Sequence, residues 1–213
     1  MWLVASFAHY YFGMFARPRR TMTELAGDTR RVRLGTAAFS IAVVGYTLVY
    51  VFLVFGHGRP TVFTPWLAIP AEVYYQWDRF LLAPSMVMSW LLAAAVAQLL
   101  ARAFGGVGTF EDTLSVLGFG IGVASWTLML HDLVTTFLGA IGVIDQRAYE
   151  DAMSGPTIWR TLLWIQMGLY LAAFVALFSI GVATTQRLRR GRALVVGTIA
   201  FVVYQLVFVI FNR

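Results

Sequence analysis

Long apolar stretches without a single charge alternate along this chain with short segments that carry all of its charges. A helix needs roughly 20 apolar residues to cross a bilayer, and five stretches meet or approach that length. Their apolar residues run continuously rather than alternating, which favours membrane helices over membrane strands. A charge at the centre of a membrane helix costs at least ~2.5–3.5 kcal/mol, so its exclusion is what insertion requires. The predicted spans are 34–55, 80–100, 114–130, 162–183 and 193–211.

The third apolar stretch is too long for one straight crossing. An unbroken helix over 114–144 would measure about 46 Å, well beyond a hydrocarbon core of about 30 Å. His131 and Asp132 interrupt the stretch, so we predict that the span ends near Leu130. The remainder, 133–144, is predicted to lie as a helix at the far interface. A sixth crossing is the alternative, but this remainder is too short for one.

The composition agrees with a membrane protein. The chain has 213 residues, of which 60% are hydrophobic and 12% charged, and its mean hydropathy is +0.75. Soluble domains carry about 25% charged residues, so this chain has too little polar surface to cover itself in water. The absence of cysteine excludes a disulfide scaffold, a thiolate nucleophile and a cysteine metal site. The predicted fold class is therefore all-α, a single-domain polytopic bundle of five transmembrane helices.

The basic residues are all arginine, and their placement predicts the orientation of the chain. Five spans put the two termini on opposite sides, with 11 arginines on the side of the N-terminus and 5 on the other. The positive-inside rule then places the N-terminus in the cytoplasm and the protein in the cell (inner) membrane. Because the arginines flank apolar spans, anionic lipid explains the net charge of +6 better than nucleic acid does. The predicted headgroup and topology residues are Arg17, Arg19, Arg20, Arg30, Arg31, Arg33, Arg187, Arg189, Arg190 and Arg192.

Residues 1–33 are predicted to form an interfacial lead into the first span. The apolar, aromatic-rich stretch 1–16 is short for a crossing, and its arginines follow it, unlike those of a signal peptide. Thr21 and Glu24 have the spacing of a capping box, which predicts a second, polar helix from there to about Arg33. Positioning of the first span is the plainer interpretation, and a docking surface for anionic lipid or a cytoplasmic partner is the functional one.

Four ionisable residues form the candidate polar site. His131 and Asp132 stand close to membrane depth, where an ionisable pair suggests a proton relay or a cation site. Glu72 and Asp78 precede the second span among large aromatic residues, a pattern typical of a mouth that captures a cation or a polar headgroup. The plainer interpretations are a hydrated helix end and an aromatic belt whose charges face water.

Small residues at helical spacing predict where helices approach closely. Gly118 and Gly122 form a small-xxx-small face on the third span, and Ala93 and Ala97 form a similar face on the second. The segment 105–112 predicts a turn followed by a helix start, with Thr109 as its cap.

Polar residues inside the spans point to helix contacts rather than to a transport path. The glutamines within the spans are expected to face other helices, because an amide in hydrocarbon needs a partner. The spans carry no carboxylate, which argues against proton-coupled transport. The span glutamines are Gln98, Gln166 and Gln205.

No pattern of catalytic residues stands out. The chain has no HExxH, no GxSxG and no paired carboxylates at catalytic spacing. Its three histidines offer no evident partner for a nucleophilic serine. We therefore predict no enzyme activity, no cofactor and no metal.

Three motifs, in order along the chain, resemble those of Yip1-domain membrane proteins. They are YFGMFARP at 11–18 with TMTEL at 21–25, FGGVGTF at 104–110 with LSVLGF at 114–119, and the basic turn LRRGRAL at 188–194. The family has a proline within its third span, where this chain has Gly122–Ser125 without one, so the sequence gives no reason for a kink there.

The resemblance implies five transmembrane helices and a cytoplasmic N-terminus. Eukaryotic relatives act in vesicle trafficking with small GTPases, but this all-arginine chain looks prokaryotic, and the trafficking role is not carried over. The function hypothesis is a non-enzymatic, membrane-organising protein that acts through helix packing, lipid contact and self-association. The alternatives are a small transporter, channel or lipid scramblase with a polar pathway near Asp132, and an accessory subunit of a membrane complex.

Overall fold

The computed structural model describes residues 2–60, 66–67 and 69–212, with the side chains of residues 2–4 left aside. These residues form α-helices, a short 3-10 helix and connecting turns, and the described part of the chain contains no strand. The α-helices are α1 Trp2–Ala16, α2 Pro18–Ala26, α3 Arg31–Phe55, α4 Tyr74–Ala103, α5 Phe110–Ala124, α6 Trp126–Ala140, α7 Gln146–Ser154, α8 Ile158–Thr185 and α9 Arg190–Phe211.

Four helices are long and apolar enough to cross a membrane, and a bent pair of helices that passes the same test together makes five if the pair is one crossing. The four are α3, α4, α8 and α9, and the pair is α5 with α6. The predicted all-α, multi-span fold is confirmed, and four of the five predicted spans lie inside single long helices. The 3-10 helix Ala71–Val73 leads directly into α4.

The third span differs from its prediction. The helix does not end near Leu130 but bends by 44° at Ser125, and α6 then carries His131 and Asp132 on to Ala140. Residues 133–140 therefore belong to the crossing and not to a separate interfacial helix. Only 145–154 behaves as an outer segment, in which Asp145 caps the short helix α7.

Close contacts with α3 show that α5 and α6 form one crossing parallel to it. Gly35 lies against Ser115 at one end of α3, and Gly56 lies against Gly139 at the other. Midway along α3, Gly45 lies against Met129, and one turn before Gly56 the rings of Phe52 and Phe137 are 5.5 Å apart. The paired helices thus follow α3 over its whole length, which gives both crossings the same direction.

The bend at Ser125 frees two carbonyls, and side-chain hydroxyls satisfy them. The Thr127 hydroxyl donates to the carbonyl of Ala124 at 2.7 Å, and the Tyr11 hydroxyl donates to that of Gly122 at 2.8 Å. Unpaired backbone groups are costly in hydrocarbon, and local hydroxyls are a common remedy at helix breaks. The third span therefore kinks at Ser125, although it carries no proline.

The N-terminal lead begins its second helix earlier than predicted. Pro18 stands in the first turn of α2, a position that suits its fixed φ. Thr21 is consequently inside the helix, where its hydroxyl donates to the carbonyl of Arg17, and the predicted capping box does not form. The helix ends at Ala26 rather than near Arg33, and a turn leads into α3.

The remaining helices build the other half of the bundle. Helix α9 packs between α4 and α8, and α8 also contacts α5. Aromatic side chains fill the α8–α9 contact, with Phe174 stacked on Tyr204 at 5.5 Å. The turns before α2, α3, α5 and α9 share one end, which we call the arginine-rich end. The loop after α3 and helix α7 mark the opposite end.

Candidate functional site

A cavity lies around Asp132, between α3, α6, α7, α8 and α9. Its volume is about 150 Å³. The contacts of Gly45 with Met129 and of Phe52 with Phe137 place Asp132 about two turns, or about 10 Å, inside the end of α3. His131 and Asp132 do not stand at a helix end as predicted, because α6 continues for about two turns beyond them to Ala140. The lining residues are Tyr46, Val49, Tyr50, Leu53, Leu128, Asp132, Met153, Leu163, Met167, Tyr170, Gln205 and Phe208.

His131 and Asp132 share one site although they are adjacent on a helix. His131 Nδ1 lies 3.5 Å from Asp132 Oδ1, and its Nε2 lies 2.8 Å from the hydroxyl of Tyr149 on α7. Burial, and then the negative charge of Asp132, raise the pKa of Tyr149 to about 12. The phenol is therefore protonated at neutral pH, and it forms a hydrogen bond with Nε2 of His131.

The other two members of the predicted polar site do not join this cavity. Glu72 lines a separate space of about 40 Å³ beside His57 and Arg147 at the opposite end. Asp78 is fully buried on α4. Within the described residues, no three His, Asp or Glu side chains come together as a metal site.

Sequence reasoning missed a buried carboxylate at the opposite end. Glu150 of α7 is 1% exposed, and its two oxygens accept from the backbone N–H of Arg59 and from the amide of Gln146. It thereby ties α7 to the loop that follows α3. The Asp145 cap was the available signal that a helix begins here.

A second missed group is Gln186, which holds the glycine loop at the arginine-rich end. Its Oε1 accepts from the N–H of Gly108 at 3.0 Å, and its Nε2 donates to Gln98 at 2.7 Å and to Thr113 at 2.8 Å. Gln98 in turn donates to the carbonyl of Gly108 at 2.9 Å. A Cβ on Gly106 or Gly108 would collide with Gln186. The glycine-rich motif therefore lets this loop pack closely against the end of α8, and it does not form a phosphate cradle.

The start of α5 forms as predicted. The Thr109 hydroxyl accepts from the N–H of Asp112, whose carboxylate accepts from the N–H of Thr109. Together these two bonds form a capping box.

The span glutamines differ in their contacts. Gln98 belongs to the Gln186 network, and Gln205 accepts from the hydroxyl of Tyr170 at 3.2 Å. In the described part of the chain, Oε1 of Gln166 is buried without a hydrogen-bond partner.

Small residues stand where the sequence placed them and bring helices together. Gly118 lies against the carbonyl of Gly35, and Gly122 lies against the backbone of Ala38, so neither position has room for a Cβ. Ala93 and Ala97 are fully buried on α4.

Several predicted headgroup arginines are occupied by contacts within the protein. Arg31 contacts Glu111 at 3.5 Å and Asp112 at 2.6 Å, linking α3 to α5. Arg192 donates to the carbonyl of Phe104 at 3.0 Å. Two others are paired locally, Arg20 with Glu24 and Arg30 with Asp28.

The arginine pairs of the lead shift the pKa of their carboxylates. The Arg30 guanidinium lowers the pKa of Asp28. The pKa of Glu24 is lowered by its hydrogen bond to Arg20 and, to a smaller extent, by its hydrogen bond to His9. The other predicted arginines have no ion-pair partner among the described residues. They are Arg17, Arg19, Arg33, Arg187, Arg189 and Arg190.

The N-terminal helix contributes a contact that the sequence does not signal. The Tyr11 hydroxyl, besides donating to the carbonyl of Gly122, accepts from Nε1 of Trp126 at 2.7 Å. The ring of Phe7 lies 6.1 Å from that of Phe119. Helix α1 therefore packs against the kink, about 10 Å inside α3 as judged by the contact of Gly122 with Ala38.

Comparison with known proteins agrees with this architecture. The family model of the Yip1 domain matches residues 12–211, nearly the whole chain. Neither the curated proteins nor the solved structures contain a significant match. The match begins in the last turn of the N-terminal helix and covers the glycine loop and helices α2 to α9, and the chain therefore belongs to the Yip1 domain family.

Proposed function

We propose that this chain is a non-enzymatic, membrane-organising protein that acts through helix packing and lipid contact, with its arginine-rich end on the cytoplasmic leaflet of the cell membrane. The N-terminal lead carries this proposal. Phe12 and Phe15 are 69% and 54% exposed on α1, and the exposed Arg17 and Arg19 follow at once. Apolar rings beside unpaired arginines suit the boundary between acyl chains and anionic headgroups.

The α8–α9 turn adds a second basic surface at the same end. Arg187, Arg189 and Arg190 are exposed, and each basic group near an anionic leaflet contributes about 1 kcal/mol of attraction. Three arginines of the opposite end are engaged within the protein: Arg147 donates to the carbonyl of His57, Arg160 donates to that of Ser154, and Arg59 contacts Asp151. This asymmetry supports an anionic-lipid contact at one end only.

Lipid retention tests the proposal. The purified protein is released from phosphatidylglycerol-containing nanodiscs, and bound lipid is counted by native mass spectrometry. We expect replacement of Arg187, Arg189 and Arg190 by Gln to reduce retained phosphatidylglycerol severalfold. Matched replacement of Arg59, Arg147 and Arg160 should leave it unchanged. Equal losses in the two triple variants would contradict an anionic-lipid surface at the arginine-rich end.

Orientation is tested separately in cells. Replacing Arg187, Arg189, Arg190 and Arg192 with acids should disturb the topology, since basic flanks set it. Single cysteines probed with an impermeant maleimide report the change, and an unaltered labelling pattern would refute the orientation proposed here. Self-association and membership of a larger complex stay predictions.

A further inference from the structure

The lining of the cavity around Asp132 contains an acidic residue and no basic one. Asp132 alone is charged among the lining residues described above. Across the described residues, the basic group within ion-pair distance of its carboxylate is His131, whose Nε2 is engaged by Tyr149. A carboxylate inside a membrane crossing is typical of a functional site, and its charge favours a cationic occupant.

The walls of the cavity are aromatic on several sides. Tyr46 and Tyr50 line it from α3, Tyr170 from α8 and Phe208 from α9. The rings of Tyr46 and Phe208 are 6.4 Å apart and tilted by 53°. Aromatic faces around a carboxylate attract alkylammonium groups through the ring quadrupole, and such cages recognise quaternary ammonium ions.

The size and the donor set favour an organic cation over a divalent metal ion. The volume of about 150 Å³ equals that of an engineered apolar cavity of about 150 Å³ that holds benzene. One carboxylate with neutral phenols and one amide is a poor ligand set for Ca²⁺ or Mg²⁺, whose protein ligands are mainly carboxylate and carbonyl oxygens. An anion would be repelled by Asp132.

We propose that this cavity binds an organic ammonium group, with Asp132 as its counter-charge and Tyr46, Tyr170 and Phe208 as its aromatic walls. The group comes either from the headgroup of an aminophospholipid or from a free amine. This site lies toward the opposite end from the anionic-lipid surface and does not depend on it.

Ligand-induced stabilisation of the full chain tests the proposal. The protein in maltoside micelles is titrated with tetramethylammonium chloride, and its thermal unfolding is compared with that in sodium chloride at the same ionic strength. A bound ligand raises Tm by mass action, so we expect a saturable rise with tetramethylammonium alone. Stabilisation by sodium to the same extent would overturn the proposal.

Three variants separate the site from a general charge effect. Asp132→Asn should weaken binding at least about tenfold, and Phe208→Leu, which keeps the charge, roughly fivefold. Glu72→Gln removes an exposed carboxylate at the same end and should bind like the parent protein. Far-ultraviolet circular dichroism checks that each variant is folded. Unchanged binding in Asp132→Asn or in Phe208→Leu would overturn the proposal.

Nanodiscs identify the source of the ammonium group. If a headgroup occupies the cavity, the apparent Kd for tetramethylammonium rises when phosphatidylethanolamine replaces part of the phosphatidylglycerol, and this dependence is lost in Asp132→Asn. If free amines are the ligands, the apparent Kd of the parent protein is the same in both lipids. If tetramethylammonium shows no saturable binding in both lipid compositions, the proposal is overturned.

Discussion

The hydroxyl of Tyr11 is predicted to hold the kink of the third span. Tyr11→Phe removes one oxygen and leaves the ring, which is 6% exposed, in place. Two bonds are lost, the donation to the carbonyl of Gly122 and the acceptance from Trp126 Nε1. The variant therefore tests whether the N-terminal helix shapes the membrane bundle.

The magnitude follows from the two groups left without a partner. Hydrogen bonds within membrane bundles average about 0.6 kcal/mol and reach about 1.7, while a buried group left unsatisfied costs ~1–3 kcal/mol. We expect Tyr11→Phe to lower the free energy of unfolding by about 1–3 kcal/mol. The Gly122 carbonyl regains its helical donor, the N–H of Trp126, only if the span straightens.

Two measurements follow the change. Unfolding in mixed micelles of mild detergent and dodecyl sulfate gives the loss of stability. Because the chain has no native cysteine, spin labels at Glu111→Cys and Val143→Cys report the length of the third span. Straightening a 44° bend between two arms of about 22 Å lengthens the span by about 3 Å.

A neighbouring tyrosine supplies the control. Tyr10 donates a single bond, 3.3 Å long, to Asp28 at the half-buried surface of the lead. Tyr10→Phe should cost less than about 1 kcal/mol and leave the spin-label distance unchanged. If Tyr11→Phe is no more costly than Tyr10→Phe and the distance is unaltered, the hydroxyl does not hold the kink.

Three further predictions concern packing, the glycine loop and pH. Gly122→Ala should lower the free energy of unfolding by about 1–3 kcal/mol in the same assay, because the added Cβ meets the backbone of Ala38. Gly168→Ala is the control and should not destabilise, because a Cβ there meets nothing within 4 Å. Equal losses in the two variants would refute the packing role of Gly122. Gln186→Leu leaves the N–H of Gly108 without its acceptor, so hydrogen exchange there should become faster and the free energy of unfolding should fall by about 1–3 kcal/mol. Gln166→Leu is the matched control. The same loss of stability in both variants would contradict the role of the Gln186 network. Arg30 lowers the folded-state pKa of Asp28. The Arg30–Asp28 pair therefore stabilises the lead fully above the ordinary Asp pKa of about 4, and this stabilisation is lost as the pH falls through the lowered pKa. The rate of hydrogen exchange in α1 and α2, relative to that of an unfolded chain at the same pH, should rise in acid, and the rise should be smaller in Asp28→Asn than in the parent protein. An identical rise in the two proteins would refute the link between the Asp28 pKa and the stability of the lead.

The number and approximate limits of the spans are readable from the sequence because insertion forbids charges in hydrocarbon. The same rule misplaced the end of the third span. It treated His131 and Asp132 as a boundary, although a cavity, His131 and Tyr149 accommodate the Asp132 charge within the crossing. Local patterns cannot reveal such accommodation, since the partners come from four other helices.

Local signals predicted caps with mixed success for a physical reason. Thr109 forms its cap because glycines precede it and no other residue starts the helix sooner. Thr21 fails because Pro18, three residues earlier, suits the first turn and begins α2 there. The contacts of Tyr11 and Gln186 join residues 111 and 78 positions apart, and nothing in their own segments signals them.

The central claim is that α5 and α6 form one bent crossing, so that the chain spans the membrane five times. Labelling with an impermeant maleimide in intact cells tests it directly, with single cysteines at Val107 and Val143, which are 60% and 64% exposed. The account predicts that Val143→Cys is labelled from outside and that Val107→Cys is labelled only after permeabilisation. Labelling of both from the same side would mean that α5 and α6 form a re-entrant loop, and would contradict the account.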